Sequence, residues 1–328
     1  MMREPWFWRD RSRAARAIAA SLEPTAALYD AARRWRQARI RPERPPVPVI
    51  CVGAVSLGGA GKTPFVRLLR EILASESFKP HFLTRGYGGR LKGPIRVIPS
   101  VHDAIDVGDE ALLLAADAPT WLARARPAGA RAAAEAGADV ILMDDGFQNA
   151  SLQKALSLLL VEDGGEGEER RFPAGPLREP VAEAEARAGA LIHVLRSAGD
   201  PPARTASVPQ FSAWLEPCET GPPARVFAFC GIARPERFFY SLADAGFEIA
   251  GRRIFADHHP YTDSDMDAVS AKAKRLGGAP ITTEKDFVRL PWYARSQTRA
   301  FKVRMRTNAP GRLAELVKRS ISEFHRHG

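Results

Sequence analysis

Cysteine is scarce in this 328-residue chain: Cys51, Cys218 and Cys230 form an odd set without a CxxC spacing. That excludes a disulfide framework or a zinc knuckle and fits reduced thiols. Long apolar runs are missing too. No stretch approaches the ~18 uncharged residues needed to span a bilayer. Near the N-terminus, arginines interrupt every segment that could form the apolar core of a signal peptide. No internal repeat is visible. With 45% hydrophobic and 26% charged residues, the chain is neither disordered nor fibrous. At ~150 residues per domain, its length suggests two domains.

What the chain does have is positive charge, at a formal net of +10. Residues 1–44 contain eleven arginines (Arg3, Arg9, Arg11, Arg13, Arg16, Arg33, Arg34, Arg36, Arg39, Arg41 and Arg44) against five acids. The segment also holds three of the six tryptophans: Trp6, Trp8 and Trp35. A basic excess calls for an anionic partner: nucleic acid, anionic lipid or a phosphorylated substrate. Ile18, Leu22, Leu28 and Trp35 recur at helical spacing, and Pro24 suggests two short helices rather than one. An amphipathic, Arg-rich, Trp-bearing element is the pattern of a helix lying in a membrane interface. The alternative is a helix packed on the protein's own body with its arginines solvated. Nothing later in the chain supplies base-reading elements, so no nucleic acid is expected.

Residues 41–48 (RPERPPVP) form a proline-rich linker. Beyond it, strands and helices alternate. Strands are expected at 49–52, 81–84, 95–98, 121–123, 140–143 and 156–161, and helices at 64–74, 110–116 and 130–136. Residues 164–171 (GGEGEERR) read as a polar loop. Further βα units follow at 191–195, 226–229, 235–245, 249–255, 263–276, 280–283 and 301–305, and a helix closes the chain at about 312–324. This rhythm predicts an α/β fold, a parallel sheet with helices on both faces. The expected division is a helical element at 1–44, a nucleotide-binding domain at 45–190 and a second, smaller α/β lobe at 191–328.

The sharpest motif is Ser56-Leu57-Gly58-Gly59-Ala60-Gly61-Lys62-Thr63, placed between an apolar strand and an amphipathic helix. Glycines let successive backbone N–H groups turn toward phosphate oxygens, and the helix N-terminus adds its own donors. Lys62 can bridge the outer phosphates of ATP, and the Thr63 hydroxyl can ligate Mg²⁺. Pro64 suits the first helical turn. At the end of another apolar strand stand Asp144 and Asp145, where a P-loop enzyme holds its metal. A strict P-loop has glycine where Ser56 stands, so two variant families merit comparison. Membrane-recruited partitioning ATPases use K-G-G-x-G-K-[ST], but Leu57 replaces their signature lysine.

The chain more closely resembles the tetraacyldisaccharide 4'-kinase family. Residues 52–64 (VGAVSLGGAGKTP) are similar to its V-G-N-[LI]-T-x-G-G-x-G-K-T-P, with Ser56 at the Ser/Thr position. Thr84–Gly88 resembles its TRGYG, Gly108–Glu110 its GDE, Asp144–Gln148 its DDGFQ and Pro173–Glu179 its PAGPLRE. Farther along, Phe229–Ile232 looks like its FCGI, Asp257-His258 its DH and Thr283–Asp286 its TEKD. Ala54 replaces the family's usual Asn, and Asn149 stands where His often follows DDGFQ.

The resemblance implies transfer of the γ-phosphate of ATP to the 4' hydroxyl of an acylated disaccharide phosphate lipid, in lipid A biosynthesis. It implies Asp109 as the base that accepts the hydroxyl proton and His258 as its partner. From sequence alone, Asp109 could instead cap a helix, and His258 and His259 could be surface residues. Lys62, Mg²⁺ and Arg178 are expected to neutralise charge on the transferred group. Thr63 and Asp145 are the expected metal ligands, followed by Asp144 and Glu110. Tyr87 is a candidate for lining the site. A lipid acceptor suits peripheral attachment at the cytoplasmic face of the inner membrane, and no protein partner is implied.

Overall fold

The computed structural model describes residues 5–8, 10, 12–162, 170–202, 207–219 and 224–327. Most of the polar loop expected at 164–171, together with Arg3, Arg9 and Arg11, lies outside these residues. The strands are β1 (Val49–Ala54), β2 (Pro80–Thr84), β3 (Ile95–Arg96), β4 (Thr120–Leu122), β5 (Val140–Asp144), β6 (Leu156–Glu162), β7 (Ala190–Val194), β8 (Gln210–Pro217), β9 (Arg225–Cys230), β10 (Glu248–Ile254), β11 (Ala279–Thr283), β12 (Arg299–Phe301) and β13 (Val303–Thr307). The helices are α1 (Arg13–Arg39), α2 (Lys62–Ser75), α3 (Ala104–Val107), α4 (Asp109–Ala115), α5 (Arg126–Glu135), α6 (Val181–Glu185), α7 (Pro235–Asp244), α8 (Asp263–Leu276), α9 (Glu284–Phe287), α10 (Trp292–Arg295) and α11 (Pro310–Arg326).

Nine strands form one sheet in the order β13-β8-β7-β6-β1-β5-β2-β4-β3, parallel except at β3–β4 and β8–β13. Alternation along β1 builds two cores, because successive side chains point to opposite faces. Ile50 and Val52 pack with Phe65, Leu69 and Leu73 of α2 and with Leu313, Val317 and Ile321 of α11. Val49 and Cys51 pack on the other face with Ala130 and Ala133 of α5 and Ala184 of α6. Helices on both faces are thus what the βα rhythm predicts. Strand order reverses around β1, which pairs with both β5 and β6. In an open α/β sheet, such a reversal opens a crevice at the carboxyl ends of the strands, where ligands bind.

The second sheet, β10-β9-β11-β12, is wholly parallel. Val226, Ala228 and Cys230 face Phe238, Phe239 and Leu242 of α7, while Phe227 and Phe229 face Met266, Val269 and Ala273 of α8. The sheets divide the chain differently from the expected boundary at residue 190. β7, β8 and β13 all pair within the large sheet, so the small sheet draws its strands from residues 225–301. The single strand expected at 301–305 is split at Lys302 between the two sheets. There the Cys218 N–H donates to the Lys302 carbonyl at 2.9 Å.

The N-terminal helix also differs from expectation. α1 runs unbroken for 27 residues through Pro24. An interior proline removes one backbone bond and costs about 3 kcal/mol; here docking offsets that loss. Ser12 caps the helix by accepting from Ala15 N–H, and one face buries Ala15, Ala19, Ala26, Asp30 and Arg33 against the body. The docked face is therefore small and ion-paired. The large apolar side chains, among them Leu28 (71% exposed) and Trp35 (60% exposed), point outward.

Candidate active site

β1 ends in the glycine turn, and Gly61 caps α2 with φ +77°, a left-handed conformation that suits glycine. A Cβ there would also come within 3.0 Å of Met305. The stretch containing Arg178 runs alongside this turn. Leu57 N–H donates to Pro176 O at 2.8 Å, and Arg178 N–H donates to Val55 O at 2.7 Å. Backbone pairing thereby brings the Arg178 guanidinium to the glycine turn.

The Thr63 hydroxyl donates to Asp144 Oδ2 at 2.9 Å. The other oxygen of this buried carboxylate, Oδ1, has no partner among the described residues. Burial, with the charges of Glu110 and Asp145, pushes the Asp144 carboxyl up to about 7. Asp145 sits in the left-handed region at φ +51° and is held differently. Arg178 grips both its oxygens at 2.8 and 2.9 Å, and Lys62 Nζ lies 3.7 Å away. Burial would raise the Asp145 carboxyl, but Lys62 and Arg178 hold it well below the usual range. Of the four candidate metal ligands, Thr63 and Asp144 therefore adjoin each other, while Asp145 is engaged by cations. Glu110 is bound by Lys285 Nζ at 3.1 Å.

An orphaned buried carboxylate oxygen beside a hydroxyl at the foot of a phosphate loop is a donor set suited to Mg²⁺. Asp109, Glu110 and His258 also bring ligand atoms within 4.8 Å of one another. The Lys285 ammonium, however, already contacts Glu110 and, at 3.2 Å, His258 Nε2. It supplies the positive charge that a metal would bring there.

Asp109 opens α4 immediately after Gly108, whose φ is +84°. A Cβ on Gly108 would strike the Tyr87 carbonyl at 2.3 Å, so only glycine fits this turn. Asp109 is 2% exposed, and its Oδ2 lies 2.8 Å from His258 Nδ1 across 149 residues of chain. An ammonium can only donate, so Lys285 leaves His258 Nε2 as an acceptor and places the ring proton on Nδ1, facing Asp109. Arg289 Nε lies 3.2 Å from Asp109 Oδ2. Burial would push the Asp109 carboxyl up, but the His258 hydrogen bond and the charges of Lys285 and Arg289 hold it below its ordinary value. It is a carboxylate at neutral pH. His258 adopts φ +55°, and the Tyr87 ring lies 5.4 Å from its imidazole.

Neither sequence departure disturbs this frame. The Ala54 carbonyl accepts from Gln148 Nε2 at 2.9 Å, and Asn149 Oδ1 accepts from Ser151 N–H and Oγ in a local turn. Four side chains at the site were not picked out from sequence: Lys285, Arg289, Glu179 and Arg126. Buried Arg126 donates to Ala123 O at 2.6 Å, and its Nε has no partner among the described residues. Burial, with Arg85 nearby, lowers its guanidinium to about 10. Three of the four lie in or beside a quoted motif: Lys285 within TEKD, Arg289 three residues past it and Glu179 as the last residue of PAGPLRE. Arg126 carries no such mark.

Comparison with known proteins gives one result throughout. The family model for tetraacyldisaccharide-1-P 4'-kinase matches residues 18–322. A tetraacyldisaccharide 4'-kinase of Rhodospirillum centenum is 46% identical, covering 100% of this chain and 99% of the relative. One from Parvibaculum lavamentivorans is 48% identical over 88% of this chain and 87% of its own. Among solved structures, LpxK from Aquifex aeolicus in complex with ATP superposes with a TM-score of 0.76 at 27% identity, covering 93% of this chain and 99% of that one. The chain belongs to the tetraacyldisaccharide 4'-kinase family.

Proposed function

We propose that the protein transfers the γ-phosphate of ATP to the 4' hydroxyl of a tetra-acylated glucosamine disaccharide 1-phosphate, with Asp109 as the base. The observation that carries this reading is the Asp109–His258 pair, held at 2.8 Å on the edge of the P-loop crevice. As the sugar oxygen attacks phosphorus, its proton passes to Asp109. His258 keeps the carboxylate oriented by donating from Nδ1, and its own Nε2 is occupied by Lys285. Lys62 and the amides of residues 56–63 bind the polyphosphate. Arg178, whose Nε has no partner among the described residues, meets charge on the transferred group. Thr63 and Asp144 would hold Mg²⁺, which supplies charge neutralisation at the phosphates when bound.

The reading extends to the membrane. α1 turns Leu28, Trp35 and Ile18 outward among the exposed arginines Arg13, Arg16, Arg36 and Arg39. That combination suits an anionic lipid surface. No helix among the described residues is long and apolar enough to cross a bilayer, so attachment would be peripheral, at the cytoplasmic face of the inner membrane where ATP is available. The partitioning-ATPase alternative gains no support: Leu57 occupies its signature position and pairs through its backbone with Pro176.

Labelled ATP and Mg²⁺ incubated with the protein and the disaccharide lipid should yield a labelled lipid carrying phosphate at the 4' position. Label appearing only as inorganic phosphate, with the lipid unmodified, would overturn the assignment.

A further inference from the structure

Glu179 is wholly buried, yet it is an acid whose neighbours belong to three separate parts of the chain. Its Oε2 accepts from Arg33 of α1 at 3.3 Å and from Arg187, and its Oε1 accepts from Gln148 Nε2 at 3.0 Å. Gln148 Nε2 donates a second time, to Ala54 O at the end of β1, at 2.9 Å. Both acceptors fix the amide with nitrogen toward β1 and Glu179, which leaves Oε1 to accept from Arg178 at 3.2 Å. Arg178 in turn grips Asp145 beside Lys62.

The other end of the chain of contacts is equally well anchored. Arg33, almost fully buried, is held by Asp30 within α1 and by Glu183 of α6 at 2.9 Å. Gln37, one turn on, accepts from Arg33 and donates to the Gln148 carbonyl at 3.3 Å. A continuous path of charge-assisted bonds therefore runs from the docked face of α1 to the guanidinium beside the phosphate loop. An amide that can satisfy its neighbours in only one orientation is a rigid link.

We infer that Glu179 and Gln148 are positioning residues that lock the Arg178 guanidinium in line with the phosphate loop, and that Arg33 makes this lock depend on α1 being docked. The inference rests on the reading of Arg178 as the arginine that meets the transferred phosphoryl. On this view α1 does more than attach the protein to a surface. The helix whose outer face suits lipid also braces, from its inner face, the cation used in the chemistry. A bond path whose geometry shifts by a fraction of an ångström misplaces Arg178, and misplacement is costly where catalysis depends on preorganised charge.

The test uses the full chain with ATP, Mg²⁺ and the tetra-acylated disaccharide 1-phosphate dispersed in detergent micelles, so that attachment to a bilayer does not limit the rate. Arg178→Ala sets the reference loss in kcat. Glu179→Gln and Gln148→Met are each expected to lower kcat by about tenfold or more, with KM for ATP changed little. Arg33→Met should lower it less, because Arg187 still donates to Glu179 Oε2. In the Arg178→Ala background the same substitutions should add almost nothing, because they act through that side chain. A residue that merely supports the fold would cost as much in either background. Should Glu179→Gln fail to fold, Gln148→Met carries the test, since it leaves no buried charge unpaired. A full Glu179→Gln or Gln148→Met effect in the absence of the Arg178 side chain overturns the inference, as does wild-type kcat in both variants. An Arg178→Ala enzyme with unchanged kcat removes Arg178 from the chemistry, and the inference falls with that reading.

Discussion

Lys62, Thr63 and the turn before them lie within eight consecutive residues of the large lobe, whereas Asp109 meets His258, Lys285 and Arg289 across the gap between two sheets. The glycine turn is shaped chiefly by backbone geometry within the large lobe, and the small lobe adds a long bond from Arg237 to the Gly59 carbonyl at 3.4 Å. The Asp109–His258 pair, our proposed proton acceptor, exists only while the lobes are apposed. Cross-lobe ion pairs hold that apposition: Arg67 of α2 with Glu284 at 3.3 Å, Lys285 with Glu110, and Arg234 with Glu162. Nucleotide binding and turnover are thus built on separate supports, and substitutions in each should fail in different ways.

The largest effect is expected at the phosphate loop. Lys62→Ala removes the charge proposed to span the outer phosphates and should lower turnover by roughly 10³-fold or more, with weaker nucleotide binding measured by titration calorimetry. Next comes Asp109→Asn, which keeps the volume and the contact with His258 but loses the proposed proton acceptor. Its kcat should fall by roughly 10²-fold or more, while ATP affinity stays at the wild-type level. If Asp109→Asn weakened ATP binding as much as Lys62→Ala does, the two supports would not be separate.

A third effect concerns pH and metal. The native Asp144 carboxyl titrates at about 7, against 3.8 as the ordinary value. Between those values the folded protein keeps a proton that the unfolded chain has lost, so stability falls as pH rises through this window. In EDTA, Tm should therefore be lower at pH 8 than at pH 5.5 on this account, and Asp144→Asn should flatten the difference. Mg²⁺ should raise Tm most at pH 8, where the carboxylate is free to bind it. Equal pH slopes in the wild type and in Asp144→Asn would move the titration to another group.

The same contrast explains what could be read from sequence. The phosphate loop, β1 and α2 are contiguous and periodic, so their pattern predicts them closely. The aspartate pair was legible as a pair, but not in its division of labour. Asp144 ends β5 and Asp145 follows it, and only the turn at φ +51° sends Asp145 toward Arg178 while Asp144 stays beside Thr63. β8 escaped notice because its residues, such as Ser212, Trp214 and Glu216, give no clean apolar run; the antiparallel pairing with β13 that defines it lies about 90 residues away. Lys285 as a partner of Glu110 and His258, and Arg289 as a partner of Asp109, were invisible because these contacts are made by topology. In α1, helical spacing identified helix and an apolar face, but not the face that docks on the body. Ile18, Leu28 and Trp35 look like a core stripe, yet docking is carried by alanines and by Arg33, whose charge is matched by Asp30, Glu179 and Glu183. Apolar spacing identifies a face that leaves water, and both a protein core and a lipid interface satisfy it.

The smallest effect tests that last distinction, because it separates the two faces of α1. Arg36 is exposed and lies off the buried stripe of α1. Near an anionic leaflet an arginine contributes about 1 kcal/mol, so Arg36→Gln should weaken binding to vesicles containing phosphatidylglycerol by about fivefold. Screening shortens the reach of exposed charges to about 8 Å at physiological ionic strength, so the difference from wild type should shrink as salt is raised. Turnover on micelle-dispersed acceptor should not change, because Arg36 lies off the bond path that leads from Arg33 to Arg178. The comparison with Arg33→Met is the informative one. The inner-face arginine should change kcat in micelles and the outer-face arginine only vesicle affinity, and a variant pair that behaved alike would mean that the two faces of α1 do not have separate roles.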